Sequence, residues 1–505
     1  MILSKKFEAM MKIKLAGFNV DVENINNLNK ILEKYPDISN EEIDKLRSMY
    51  WTPETMSASY ARISRDPRVI SELREEAGRE VDKARKSNKL IIFGLGHSSV
   101  AEHAVFNIDI LEISRLVSEK LEKSRLVSFT EKSQRYIKIG NDILYPAEFE
   151  EDKAFLEEYK KLTNELFEAY NILHDKILPY FLDKNPDVKP ESREYNDIIN
   201  LAKEDARYIL PLGTLTQLGM TINARNLEKV IRRLVSDNLA ESRVLGKKLF
   251  EVVDGYAPSL VKYTDATPYE LETFKEIKLA IGEIGESENI KNEVSLDYFN
   301  KELENDILAS LVVKSSDMSF SEAKNIAAGW DDKKKKEVFA ASIKHLNSYD
   351  SLIREYEMSD FVFSVVMSAT CFAQFKRHRM ASIIDGAYSP SLGVTVPVSI
   401  VDSGCEEFFM EKIDKINTLY YKAKERWSDA ADYILSNAHR KNVILKCNFR
   451  ELVHIARLRS DKHAQWDIRN ISDQMMALVK PKLLFLSGLL CGKDSFENRS
   501  KNELY

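Results

Sequence analysis

An α+β fold in two similar halves is what this sequence predicts, and three observations predict it. The first is internal repetition. ARYILPLG (206–213) returns as ADYILSNA (431–438), NAR (223–225) as NFR (448–450), RLVSD (233–237) as RLRSD (457–461), and KSRLVS (123–128) as RHRMAS (377–382). Four matches in one order indicate duplication, and two copies are too few for a solenoid, so they read as two similar domains. The second observation is a pair of apolar stripes at helical spacing. Phe155, Tyr159, Leu162, Leu166, Tyr170, Leu173 and Ile177 form one; Phe409, Ile413, Ile416, Tyr420, Ala423, Trp427, Ala430 and Ile434 form its counterpart. The third is a set of strand-like stretches, KIKLAGFNV (12–20), HAVFNIDI (103–110) and FVFSVVMS (361–368). Strands mixed with long helices predict, in each half, a mixed or antiparallel sheet flanked by helices.

Taken in order, the three later repeat pairs are offset by 225, 225 and 224 residues and the earliest by 254. The first copy therefore carries about 29 extra residues between its motif blocks, placed near 180–200. Segments 224–253 and 450–478 read as long helices. The stretch 263–292 is polar, loses helical periodicity and holds Gly282 and Gly285, as a linker would. The expected domains are thus 1–262 and 293–505, joined by 263–292.

Composition bounds the function. The chain has 505 residues, 44% apolar and 30% charged, with Lys plus Arg at 74 against Asp plus Glu at 80. That length suits roughly two to four domains of ~100–200 residues. A net charge of −6 leaves no basic excess for coating a phosphate backbone, so no nucleic-acid partner is expected. No apolar run reaches the ~18 residues of a membrane span, and the N-terminal MILSKKFEAM has no signal-like apolar region. Four scattered cysteines without CxxC spacing exclude a disulfide framework and a zinc knuckle, and no HExxH or other metal constellation is present. A reduced, cytoplasmic protein without a metal is expected.

What the sequence offers for chemistry is clustered arginine, histidine and amide side chains, which suit anionic planar ligands because guanidinium donates bidentately to phosphate and stacks on rings. FAQFKRHRMAS (372–382) places Arg377, His378 and Arg379 where an apolar stretch emerges. There an anion, or alternatively ion-paired acids on a surface, would offset the clustered charge. SFTEKSQRY (128–136) offers Glu131, Ser133, Gln134 and Arg135 within five positions, a loop able to wrap a phosphate or, equally, an ordinary solvated turn.

These segments resemble the flavin-dependent thymidylate synthases, whose signature reads RHR-x-x-S-x-N-E-x-S-x-R-Y. The signature is divided between the copies. The second keeps Gln374, Arg377, His378, Arg379 and Ser382, then departs with Asp385, Ala387 and Ser389. The first has Lys123 and Ser124 in place of the leading pair but keeps Ser128, Glu131, Ser133, Arg135 and Tyr136, with Thr130 where Asn is usual. HSSVAEH (97–103) is similar to the family's flavin segment, giving His97, Ser99 and Glu102, of which the second copy retains only Glu357. NFRELVHIARLRSDKHAQWDIR (448–469) is similar to its C-terminal block, giving Asn448, Arg450, His454 and His463 as flavin positions and Arg459 as the catalytic arginine. The first copy has Val235 at that arginine, though Asn223 and Arg225 remain. Arg207 matches a nucleotide-binding arginine whose partner in the second copy is Asp432.

The resemblance implies a fold like that family's and reductive methylation of dUMP to dTMP. FAD is the implied cofactor, with methylenetetrahydrofolate and NAD(P)H as co-substrates. Glu131, Ser133, Gln134, Arg135 and Arg207 would hold the nucleotide together with Gln374 and Arg377. Arg377 would also meet the flavin, alongside His378 and Arg379. The losses are complementary, which implies a composite site and a homodimer forming a pseudo-tetramer. The rival readings are a flavin enzyme for another pyrimidine nucleotide and a non-catalytic nucleotide- or flavin-binding regulator. Methylation of tRNA uridine is disfavoured by the acidic balance.

Overall fold

The computed structural model describes residues 10–282 and 293–498. They fall into two compact units. One takes residues up to 284 together with 408–434; the other takes 285–407 and 435 onward. Grouping 408–434 with the N-terminal unit is a feature no boundary signal in the sequence announces. Within the expected linker, residues 283–292, Gly285 included, lie outside the described residues.

In the first unit β1 (Lys12–Phe18), β2 (Val105–Ser114), β3 (Ser128–Glu131) and β4 (Leu215–Asn223) form an antiparallel sheet in the order β1-β2-β4-β3. In the second, β5 (Val294–Phe299), β6 (Phe361–Ser368), β7 (Ser382–Tyr388) and β8 (Arg440–Cys447) repeat it as β5-β6-β8-β7. Register carries the duplication to single residues. Ser128 faces Thr221 in the first sheet and Ser382 faces Lys446 in the second, separations that match the motif offsets. The central strands alternate as a half-buried sheet should: Leu218, Met220 and Ile222 point into one core, Val443, Leu445 and Cys447 into the other. The two α+β units thus share one topology.

The helices that position the candidate site are α1 (Arg115–Glu122), α2 (Lys153–Asp183), α3 (Arg193–Ala206), α4 (Ala224–Val235) and α5 (Ala240–Asp254), followed by α6 (Ala369–Phe375), α7 (Glu406–Lys424), α8 (Phe449–Arg459) and α9 (Trp466–Val479). In α2 the predicted stripe, Phe155 through Ile177, is the buried one, and Asp152 caps the helix by accepting from the Phe155 N–H at 3.0 Å. Each such side chain fully buried contributes about 1.5–3 kcal/mol. Its counterpart α7 ends at Lys424, earlier than its stripe, and 430–433 make only a 3₁₀ turn. The longer α2 and the additional α3 account for the extra residues of the first copy.

Two expectations are corrected. Segments 224–253 and 450–478 are each two helices, not one. The break falls at the same repeat, Ser-Asp, in both. Asp237 Oδ1 accepts from the Leu239 N–H and Asp461 Oδ1 from the His463 N–H, both at 2.9 Å. Each is a local turn that competes with helix continuation. The polar stretch after 262 also contains a helix, Pro268–Ile281, started by the Thr267 cap and Pro268 at its first position. None of its residues is buried, which is why it shows no apolar period.

Among the described residues no helix is long and apolar enough to cross a membrane. All four cysteines are free and buried, and burial pushes the Cys371 and Cys447 thiols up, so neither offers a thiolate nucleophile.

Candidate functional site

In the first unit two of the sequence-predicted anion-binding residues, Arg135 and Arg207, both bond Glu204. Glu204, near the end of α3, is paired by the Arg135 Nε, and its backbone carbonyl accepts from Arg207 Nε at 3.2 Å. Arg207 is itself buried, and burial pushes its guanidinium down from the usual range while Glu204 opposes the shift. Ser133 Oγ accepts from the Arg135 N–H at 3.2 Å, closing the loop, and the Arg135 guanidinium lies 5.4 Å from the Tyr136 ring. Glu131, the last residue of β3, accepts from Ser118 of α1 at 2.8 Å. Gln134 is buried in the same loop. The result is two guanidinium groups, Arg135 of the loop and Arg207 after α3, fixed in place by Glu204, a preorganised pair of donors.

In the second unit a different set is brought together. Arg459, the last residue of α8, donates from Nε to His378 Nε2 at 2.9 Å, from Nη2 to the Gln374 carbonyl at 3.0 Å and from Nη1 to Gln374 Oε1 at 3.4 Å. His378 is buried, and its Nδ1 lies 3.2 Å from Glu451 Oε1. Burial, seconded by the Arg459 charge, holds the His378 pKa down to about 3. Of the RHR triplet, then, the histidine faces inward with both ring nitrogens engaged. Arg377 and Arg379 are exposed and make no ion pair among the described residues. Beside α8 lies a polar cavity of about 290 Å³ lined by Leu352, Asn448, Arg450, Glu451, His454 and Arg457, among others. Arg450 is held by the Leu352 carbonyl at 2.6 Å and Glu357 at 2.8 Å, and Asn448 caps α8 through the Glu451 N–H. His463 stands exposed in the turn before α9, outside the cavity lining.

The flavin-like segment of the first copy sits in the first unit. His97, Ser99 and Glu102 are exposed on a 3₁₀ turn, with Glu102 paired to Arg225 at the start of α4. This is the same carboxylate–arginine pair as Glu357 with Arg450, so both copies keep it. At the end of α4 the first copy also has an arginine on the carbonyl equivalent to that of Gln374. Arg233 donates to the Lys120 carbonyl at 3.0 Å and to Ser124 Oγ at 2.8 Å.

The sequence model of a family described as thymidylate synthase complementing protein matches residues 45–259 and 301–483, most of both copies. The chain belongs to this family. A UPF0159 protein of Thermoplasma acidophilum is 25% identical over 86% of this chain and 94% of its own length. Another from Chlamydia muridarum is 23% identical over 80% of each chain. A flavin-dependent thymidylate synthase of Clostridium tetani is 28% identical, covering 44% of this chain and 86% of its own length, as expected if one copy here corresponds to one whole relative.

The second unit differs from the first at the equivalent places. The place of Glu131 is taken by Asp385, and that of Thr216 by Lys441. Lys441 is 3% exposed, its Nζ 2.7 Å from Asp385 Oδ2 and 4.0–4.1 Å from the centroids of Tyr388 and Phe372. A buried lysine that is ion-paired and flanked by two rings has its charge satisfied internally.

Two carboxylates central to these clusters, Glu204 and Glu451, escape sequence reasoning because an acid on an amphipathic helix reads as a solvated face. A signal for each was present in spacing. Glu451 follows the Asn448 cap by three residues, and Glu204 precedes Arg207 by three.

Proposed function

We propose that the chain is a flavin-dependent thymidylate synthase acting on dUMP. In the overall change, methylenetetrahydrofolate supplies the one-carbon unit, NAD(P)H supplies a hydride and a proton is taken up. The products are dTMP, tetrahydrofolate and NAD(P)⁺. The observation that carries this reading is the difference between the two clusters. One copy pairs Arg135 with Glu204 and sets Arg207 on the Glu204 carbonyl; the other pairs Lys441 with Asp385 and holds Arg459 at the end of the helix that lines a polar cavity.

The residues present fit a flavin nucleotide. The cavity offers Arg450, Asn448 and His454, and the exposed Arg377 and Arg379 have no acid partner among the described residues. These residues, with His97, Ser99 and Glu102 of the first copy, would hold it. When bound, the flavin supplies the hydride-carrying chemistry that no side chain can. The chain's own part is electrostatic. Arg135 and Arg207 neutralise the 5′-phosphate, with Ser133 and Gln134 orienting the nucleotide. With no thiolate available, Arg459 stabilises negative charge developing on the pyrimidine ring. We further propose that the site combines clamp and redox halves, with two chains forming a pseudo-tetramer.

Purified protein should be yellow, and NADPH should bleach it faster when dUMP is present, as followed by flavin absorbance. A colourless preparation that binds dUMP without turnover would replace the enzyme with a nucleotide-binding regulator.

A further inference from the structure

Resting on that reading, we infer that Glu451 is a positioning residue that sets the tautomer of His378 and through it the pose of Arg459. The argument begins with the guanidinium, which has donors only. Arg459 Nε lies 2.9 Å from His378 Nε2, so that nitrogen must accept and carries no proton. A neutral imidazole with a bare Nε2 has its proton on Nδ1. Nδ1 is the atom 3.2 Å from Glu451 Oε1, which therefore accepts. The chain of bonds runs Arg459 to His378 to Glu451, with every proton assigned.

The alternatives fail on this geometry. An imidazolium, or the Nε2–H tautomer, would set one N–H against another across the Arg459 contact. The groups around His378 reinforce the neutral form: it is buried, Arg459 adds positive charge, and the His454 ring stands edge-on at 5.8 Å. Glu451 is in turn fixed, since its own N–H is taken by the Asn448 cap at 2.9 Å and its side chain is buried. Remove the carboxylate and the buried Nδ1–H loses its acceptor, leaving the Arg459 contact as the one bond that favours this tautomer among those described. The ring can then turn its proton to Nε2 and release Arg459 from one of its three acceptors. A carboxylate acting through an imidazole on a third group is a known way of holding a catalytic side chain in register.

Solid-state ¹⁵N–¹³C NMR of the histidine-labelled full-length protein tests this directly, with His378 assigned by its disappearance in His378→Asn. The expected spectrum at pH 7 shows His378 neutral with the proton on Nδ1, unchanged down to pH 5. Glu451→Leu should populate the Nε2–H form and lower kcat for dUMP by about 100-fold. Glu451→Gln, whose amide oxygen can still accept, should restore the tautomer and most of the rate. A wild-type His378 that is cationic or protonated on Nε2 overturns the inference, whatever the variants do. So does a Glu451→Leu protein that keeps the Nδ1–H form. If the wild-type protein shows the expected tautomer but never turns over dUMP, the proposed reaction fails while the bond chain stands.

Discussion

Arg459→Ala is expected to lower dTMP formation by about 10³-fold, the loss typical of removing a preorganised donor from developing negative charge. The guanidinium is held by three acceptors, Gln374 carbonyl, Gln374 Oε1 and His378 Nε2, so its position costs no reorganisation during the reaction. Arg459 is not among the residues that line the cavity beside α8, so flavin content should stay near the wild-type value while the rate falls. Arg459→Lys should not rescue. An ammonium cannot reach three acceptors in one plane, and a compact charge on a flexible stem replaces a fixed fork. Single-turnover assays with absorbance-determined flavin occupancy check both parts. A near-normal rate in Arg459→Ala would remove this residue from the chemistry.

The second large effect is expected at Arg135, and it should appear in binding. Arg135→Ala removes one guanidinium from the anion loop and leaves Glu204, itself buried, without its partner. Truncating one member of a hydrogen-bonded charge pair across a binding interface costs about 2–5 kcal/mol, so loss of the proposed Arg135–phosphate contact should lower dUMP affinity by roughly 100-fold or more. The assignment to phosphate is read by comparing dUMP with deoxyuridine. In the wild-type protein dUMP should bind far more tightly; in Arg135→Ala that advantage should collapse. Arg135→Lys preserves the charge opposite Glu204 and so separates lost recognition from lost stability. Its melting temperature should stay close to wild type while phosphate discrimination is only partly retained. If Arg135→Ala keeps the full preference for dUMP, the loop is not the clamp.

Much of this could be read from the residues, for physical reasons that also explain what could not. The α2 stripe was legible because one face of a long helix is buried without interruption, and every predicted position from Phe155 to Ile177 lies inside. The break between α4 and α5 was not, because apolar periodicity continues across it and the helix is stopped locally by the Asp237 side chain, as by Asp461 in the other copy. The exposed helix at 268–281 went unnoticed for the opposite reason. It has start signals, Thr267 and Pro268, but no buried face to make a period. Strands β3 and β7 are not among the expected strands: β3 begins a segment that reads as a loop, and β7 begins where a basic cluster ends. In the site, Arg135, Arg207, Gln374 and Arg459 were accessible through the split signature. Glu204 and Glu451 were not, since a carboxylate's burial is a tertiary fact. Alternation puts Lys441 on the same inward face as Val443, Leu445 and Cys447, but how its charge is satisfied there shows only once Asp385, Phe372 and Tyr388 are in place.

The central claim is that the two copies divide one job. On the proposed reading the first supplies the nucleotide clamp and the second, where Lys441 and Asp385 pair with each other, supplies the redox half. Calorimetric titration of the flavin-loaded protein with dUMP tests it most directly through the number of sites. One dUMP bound per chain is the predicted result; two per chain would mean that the second copy also binds nucleotide, and the division of labour would be contradicted.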